Sequence, residues 1–213
     1  MITKIIDEEK IQQAKKEILN NDNIVIVTHV SPDGDALGAS LGLYQFLQIL
    51  EKKVTVIVPN AYPDFLKWMA GSDQILVYPE KKIQADKAIN EAELIFALDF
   101  NTLSRIGEMG TVVADSKAHV VLIDHHLDPG GFADVVISYP KMSSTSEMIF
   151  RLICRMGYFT EMTKECAECI YVGMMTDTGA FSYNSNSSEI YSIISELIRK
   201  GIDKDEIYRK VYN

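Results

Sequence analysis

The chain has 213 residues, 47% of them apolar and 24% charged, a composition that excludes a disordered or fibrous protein and leaves room for one large or two small domains. Its 21 basic and 30 acidic residues give a net charge of −9, a field that repels long polyanions and argues against tight sequence-independent binding to duplex DNA. The longest apolar runs, residues 24–27 and 120–123, are far too short to span a bilayer.

No basic stretch leading into a hydrophobic core and a cleavage site opens the sequence, so export is not expected. The three cysteines make no disulfide framework, and a reducing cytoplasm is the expected compartment.

In chain order, Ile11, Ala14, Ile18 and Leu19 recur at helical spacing and predict a helix over Glu8–Asn20. The β-branched run Ile24–Thr28 predicts a strand buried on both faces. A helix over Ala36–Glu51, a strand over Val54–Val58, a short helix over Asp64–Met69 and a brief strand over Ile75–Tyr78 follow. Next come a helix at Ile83–Glu91, buried strands at Leu94–Leu98 and Val120–Ile123, and an edge or parallel strand at Ala133–Ser138. The remainder reads as helices at Ser146–Met156, Thr163–Met175, Ser187–Arg199 and Asp203–Tyr212, with an extended segment at Phe181–Tyr183. Short buried strands alternating with helices imply an α/β fold, a mostly parallel sheet flanked by helices. No internal repeat or linker divides residues 1–213, which are expected to form a single domain; the chain stops inside a helical pattern, as a one-domain protein or a fragment cut at a domain border would.

Ligands in open α/β sheets collect beyond the carboxyl ends of the strands. After residue 28 comes His29-Val-Ser-Pro-Asp33-Gly-Asp35; after residue 98, Asp99 and then Arg105; after residue 123, Asp124-His125-His126; and Asp177 stands where an apolar helix runs into a Gly turn. A chance His-x-x-x-Asp-x-Asp occurs in roughly one such chain in fifty and a chance Asp-His-His in roughly one in two hundred, so both at strand exits are not accidental. Asp33, Asp35, Asp99 and Asp177 offer hard oxygen donors, and His29 and His125 offer imidazole nitrogen. Such a shell suits two manganese ions, with magnesium, cobalt or iron as alternatives, and the absence of thiolates argues against a structural zinc site. Unpaired, the carboxylates repel one another; a divalent pair neutralises them, receives a phosphate, and activates water for in-line displacement at phosphorus. The bland alternative is that these residues merely cap helices. Gly34 and Gly38 are read as permitting a tight turn and close backbone approach at a helix start whose amides favour a bound anion.

The segments His29-x-x-Pro32-Asp33-x-Asp35-Ala-Leu-Gly38, Asp99, Asp124-His125-His126 and Asp177-Thr-Gly179 resemble the four motifs of the DHH phosphoesterases, over nearly the whole chain. Asp99-x-x-x-x-Ser104-Arg105-x-Gly107, Ser144-Thr-Ser-Glu147 and Tyr171 through Phe181 are most similar to the branch of oligoribonucleases that also dephosphorylate 3′-phosphoadenosine 5′-phosphate (pAp). The resemblance implies that Asp99 bridges two ions, with His29 and Asp33 completing one site and Asp35, His125 and Asp177 the other. It further implies that His126 meets the substrate phosphate, that Asp124 orients the histidines, and that Arg105 clamps phosphate. Short oligonucleotides or nucleotide phosphates are the implied partners, and a homodimer is compatible with the sequence. Gly38-Ala39-Ser40 replaces the family's usual Gly-Ser-Ser or Gly-Ser-Ala, and the family's C-terminal substrate-binding domain has no counterpart in the 213 residues. Rival readings on the same scaffold are an inorganic pyrophosphatase, an exopolyphosphatase, a dinucleotide phosphodiesterase and a single-strand exonuclease; outside enzymes, a non-catalytic nucleotide-binding domain.

Outside these motifs, Cys166-x-x-Cys169 lies within a predicted helix and reads as core rather than a redox pair, Trp68 reads as a packing anchor, and His119 as structural.

Overall fold

The computed structural model describes residues 4–213. Six strands, β1 (Asn23–Thr28), β2 (Lys53–Val58), β3 (Leu76–Val77), β4 (Leu94–Leu98), β5 (His119–Asp124) and β6 (Val135–Ser138), form one sheet in the order β3-β2-β1-β4-β5-β6. Every neighbouring pair is parallel. The helices are α1 (Glu8–Asn20), α2 (Gly34–Ile49), α3 (Lys82–Glu91), α4 (Met109–Asp115), α5 (Thr145–Met156), α6 (Lys164–Asp177), α7 (Ser188–Arg199) and α8 (Lys204–Tyr212).

The expected α/β architecture follows from burial on both faces. In β1, Ile24 and Ile26 point into one core while Val25 and Val27 point into the other. Leu94, Phe96 and Leu98 of β4 alternate with Ile95 and Ala97 in the same way. The larger core receives apolar residues of α1, α2, α5, α6 and α7; the smaller receives Ala85 and Ile89 of α3 and Met109 and Val113 of α4. Side chains alternate with a period of two, so a strand apolar at every position must be covered on both sides.

Strand order reverses between β1 and β4, which is where such sheets open a crevice. The register aligns the exits: Thr28 pairs with Leu98, Leu98 with Ile123, and Asp124 with Ser138. His29, Asp99 and Asp124 are therefore delivered to one rim. At the opposite rim, where the strands start, the Glu93 carboxylate accepts the N–H groups of Asp22 at 2.7 Å and Asn23 at 2.9 Å.

Several segments depart from the sequence reading; the helix expected over residues 64–69 is a single turn at Asp64–Leu66. The helix α4 and the tight helical turn Leu103–Ile106 were not anticipated. Phe181–Tyr183 is not extended: Ala180 and Phe181 have φ of 55° and 63°, and the N–H groups of Ser182 and Tyr183 donate to the carbonyl of Thr178. Thr178 Oγ1 accepts the Phe181 N–H at 3.0 Å, and the Phe181 ring packs against Tyr171 with centroids 5.7 Å apart. A local turn with an aromatic anchor thus prevails over β-propensity.

Cys166 and Cys169 are buried core residues, and burial pushes the Cys166 thiol up to about 12. Trp68 packs on the larger core with Lys210 Nζ 4.5 Å from its ring centroid. His119 opens β5, its Nδ1 3.3 Å from Glu17 Oε2. Among the described residues no helix is long and apolar enough to cross a membrane.

Candidate metal centre

The strand exits and two helix ends converge. His29 follows β1, Asp35 lies in the first turn of α2, Asp99 follows β4, His125 follows β5, and Asp177 ends α6. Ligand atoms of His29, Asp33 and Asp99 lie within 4.8 Å of one another, as do those of Asp35, His125 and Asp177 and those of Asp99, His125 and His126. Asp99, fully enclosed, stands between the histidines: Oδ2 is 3.4 Å from His29 Nε2, and Oδ1 is 3.5 Å from His125 Nε2.

Both histidines have one nitrogen committed elsewhere. His29 Nδ1 meets the carbonyl of Val30 at 2.9 Å, and His125 Nδ1 meets the carbonyl of Met142 at 3.4 Å. A carbonyl can only accept, so Nδ1 carries a proton in either form of the ring; Nε2 faces the acids, donating to them when the ring is protonated and offering its lone pair when it is neutral. His125 Nε2 is also 3.4 Å from Asp177 Oδ2 and 3.9 Å from Asp35 Oδ2. Lone pairs and carboxylate oxygens facing a common space, with no thiolate among them, form a donor set that fits divalent cations.

Electrostatics carry the same signature. Burial, then the fields of Asp99 and Asp177, raises the Asp35 pKa well above the usual carboxylate range. Burial outweighs the favourable field of His125 at Asp177 and pushes it up to about 6. At Asp99 burial acts upward too, but the His29 hydrogen bond and the charges of His125 and His29 prevail and hold it low. Like charges confined together favour protonation unless cations join them.

The first turn of α5 positions two of the acids. Asp35 Oδ2 accepts the Thr145 N–H at 2.6 Å and Oδ1 accepts the Ser146 N–H at 2.9 Å. Thr145 Oγ1 donates to Asp99 Oδ1 at 2.9 Å. These contacts were missed from sequence, although Ser144-x-x-Glu147 is the pattern of a helix start, and the free amides of a helix start require an acceptor. Ser144 caps the helix by accepting the Glu147 N–H, and Glu147 Oε2 reaches back to Ser143. Asp99 itself has φ of 65°, the left-handed region that costs a non-glycine residue about 1–2 kcal/mol.

The anion expected at the start of α2 is supplied by the chain itself: Asp33 Oδ1 accepts the N–H groups of Asp35 and Ala36. The close approach expected at Gly34 and Gly38 is made to α6. A Cβ on Gly34 would lie 2.3 Å from Thr176 Oγ1, and one on Gly38 would lie 2.7 Å from the Cys169 carbonyl oxygen and the Gly173 nitrogen.

Asp124 and His126 sit at the margin. Asp124 is buried, and its Oδ1 meets His126 Nδ1 at 2.7 Å, while Oδ2 has no partner among the described residues. That hydrogen bond raises the His126 pKa against the opposing effect of burial. His126 is half-exposed, with Nε2 left for a ligand. Arg105 is exposed in the turn after Asp99, and its charge is felt at His126.

The chain is an α/β protein with a doubly wound parallel sheet and, at its switch point, a histidine–carboxylate cluster that could hold metal ions. The chain belongs to the DHH family: the profile of the DHH family, N-terminal domain, matches residues 23–174. It is 32% identical over 184 residues to the bifunctional oligoribonuclease and PAP phosphatase NrnA of Thermus thermophilus, covering 86% of this chain and 52% of that protein. A crystal structure of an exopolyphosphatase-related protein from Bacteroides fragilis is 62% identical, with a TM-score of 0.98 over 99% of this chain and 62% of the other. RecJ from Thermus thermophilus, solved with Mn2+, shares the fold at 12% identity and a TM-score of 0.54, over 99% of this chain and 37% of that one. The chain thus spans roughly half to three fifths of the length of these first two relatives.

Proposed function

We propose that this chain is the metal-binding part of a manganese-dependent phosphoesterase that hydrolyses short oligonucleotides or nucleotide phosphates such as pAp. The observation that carries the reading is the pair of clusters, His29–Asp33–Asp99 and Asp35–His125–Asp177, joined through Asp99 lying between the two imidazoles. His29, Asp33 and Asp99 would hold one cation and Asp99, Asp35, His125 and Asp177 a second. When bound, such cations supply positive charge to phosphate oxygens and acidify the attacking water.

The chain's own groups do the rest. Thr145 and Ser146 fix Asp35, and Thr145 fixes Asp99, so the donors need little rearrangement. Asp124 anchors Nδ1 of His126 and favours its protonated form, which lets Nε2 donate a proton to the departing oxygen. Arg105 would engage a non-bridging phosphate oxygen with its guanidinium.

A second reading has its own support: the 62% identical structure belongs to an exopolyphosphatase-related protein, and the same centre would serve a phosphoanhydride. The test begins with calorimetric titration of manganese into the metal-stripped chain, where two ions per chain are expected. Hydrolysis of pAp, a short RNA, pyrophosphate and polyphosphate then ranks the substrates. One weakly bound ion or none refutes the centre; polyphosphate as the preferred substrate selects the second reading.

A further inference from the structure

We propose that the apolar cavity at the carboxyl ends of β1, β2 and β3 seats a nucleobase of the substrate, an inference that rests on the nucleotide reading above. The cavity has a volume of about 290 Å³; its apolar walls are Val30, Pro59, Tyr78, Pro79 and Ile106, with Asn60, Lys82 and Glu108 as the polar lining. Two of those walls are chain neighbours of groups already assigned to the chemistry: Val30 follows His29, and Ile106 follows Arg105. The Val30 N–H donates to the Arg105 carbonyl at 2.7 Å, so the loops carrying a cation ligand and a phosphate clamp also build the cavity. A phosphate held between those loops has its nucleoside at the mouth of the slot.

Lining chemistry selects the ring rather than the phosphate. Most polar groups there are committed: Asn60 Oδ1 accepts the Ser31 N–H, its Nδ2 donates to the Ala61 carbonyl, the Tyr78 hydroxyl donates to Asp86 and accepts from Lys82, and Lys82 Nζ also donates to Asp86, while the Glu108 carboxylate at the edge of the lining disfavours an anion. What remains is mainly surface contact for a flat heterocycle, and burying an anion against such walls is unfavourable. A larger cavity of about 440 Å³ on the other side, beside His125, is lined by Lys141, Glu147, Arg151, Asn184 and Asn186; its polar character suits sugar and phosphate better than a base. With mostly apolar walls and few free polar groups in the slot, purines and pyrimidines are accepted alike.

The test uses adenosine, which has no phosphate, titrated into the metal-free chain while backbone amide shifts are followed by NMR. The amides of Val30, Asn60, Ile106 and Gly107 are expected to move, Pro79→Asp to weaken binding about fivefold, and uridine to bind within about threefold of adenosine. Shifts confined to the cavity beside His125, or no shifts, overturn the assignment. In manganese-loaded protein, Pro79→Asp is expected to raise KM for the dinucleotide pApA about tenfold while leaving manganese affinity unchanged. An unchanged KM overturns the proposal. If adenosine binds in the slot but pApA is not hydrolysed, the cavity assignment stands and the phosphoesterase reading is what fails.

Discussion

Gly38→Ala tests whether helix spacing sets the metal centre. Gly38 lies one turn beyond Asp35 on α2, and Gly173 one turn before Asp177 on α6. The added methyl would meet the Cys169 carbonyl oxygen at 2.7 Å, the Gly173 nitrogen at 2.7 Å and the Gly173 Cα at 2.8 Å. All three are backbone atoms of α6, so no rotamer change relieves them. Ordinary contact begins at 3.4 Å, so the helices must separate by about 0.7 Å. Overpacking of this kind costs about 1–3 kcal/mol, and backbone on both sides places it near the upper end. Replacing a mid-helix glycine returns about 1 kcal/mol of helix propensity. The net loss is about 2 kcal/mol, or about 4–8 °C in melting temperature for a chain of this length. The same shift draws Asp35 away from Asp177 and is expected to weaken manganese binding about 10–100-fold. Urea unfolding of the metal-free chain and a calorimetric titration read the two effects separately. Gly131→Ala, where an added Cβ meets nothing within 4 Å, is the control and should change stability by less than about 0.5 kcal/mol. A Gly38→Ala variant that loses stability yet binds manganese like the parent would refute the coupling of helix spacing to the site.

Asp99→Asn keeps a residue that tolerates the left-handed backbone while removing the charge; it should abolish binding of both cations by calorimetry, whereas His126→Ala should retain both and lose turnover. Thr145→Val removes the hydroxyl that orients Asp99 and is expected to weaken manganese about tenfold, with Thr145→Ser restoring it; an equal defect in both variants would point to packing instead. The metal-free chain should lose stability as pH rises from about 4 to 8. Asp177, raised from 3.8 to about 6, and His29 and His126, both raised from 6.5, hold protons in the folded state that the unfolded chain has released, and this contribution disappears as pH climbs through the folded values. Thermal melts across that range should show a shallower slope for Asp177→Asn; an identical slope would rule Asp177 out as its source.

Strands and large helices could be read from the chain because their causes are local. β1, β4 and β5 are continuous apolar runs, and Ile11, Ala14 and Ile18 of α1 fall on one buried face. α4 escaped notice because its seven residues include Gly110 and three β-branched residues and no side chain caps its start. The turn at Ala180 and Phe181 escaped because it depends on Thr178 bonding to nearby backbone, which an aromatic-rich tripeptide does not advertise. Within the candidate centre, side chains leaving strand ends were foreseeable, since a parallel sheet sends its exits to one rim. The grip of Thr145 and Ser146 on Asp35 joins residues 110 and 111 positions apart, and only the packing of α5 against α2 brings them together.

The parallel sheet has a practical corollary for handling the molecule. The rim of strand starts, with Lys53 exposed at the head of β2 and the Glu93 carboxylate fastening residues 22 and 23, is separated from the histidine–carboxylate cluster by the length of the strands, about 20 Å at 3.3 Å per residue. A fluorophore, biosensor surface or affinity handle attached through Lys53 would therefore leave the opposite rim, with His29, Asp99 and His125, open to solvent. The strand direction supplies an immobilisation geometry in which the binding face points outward.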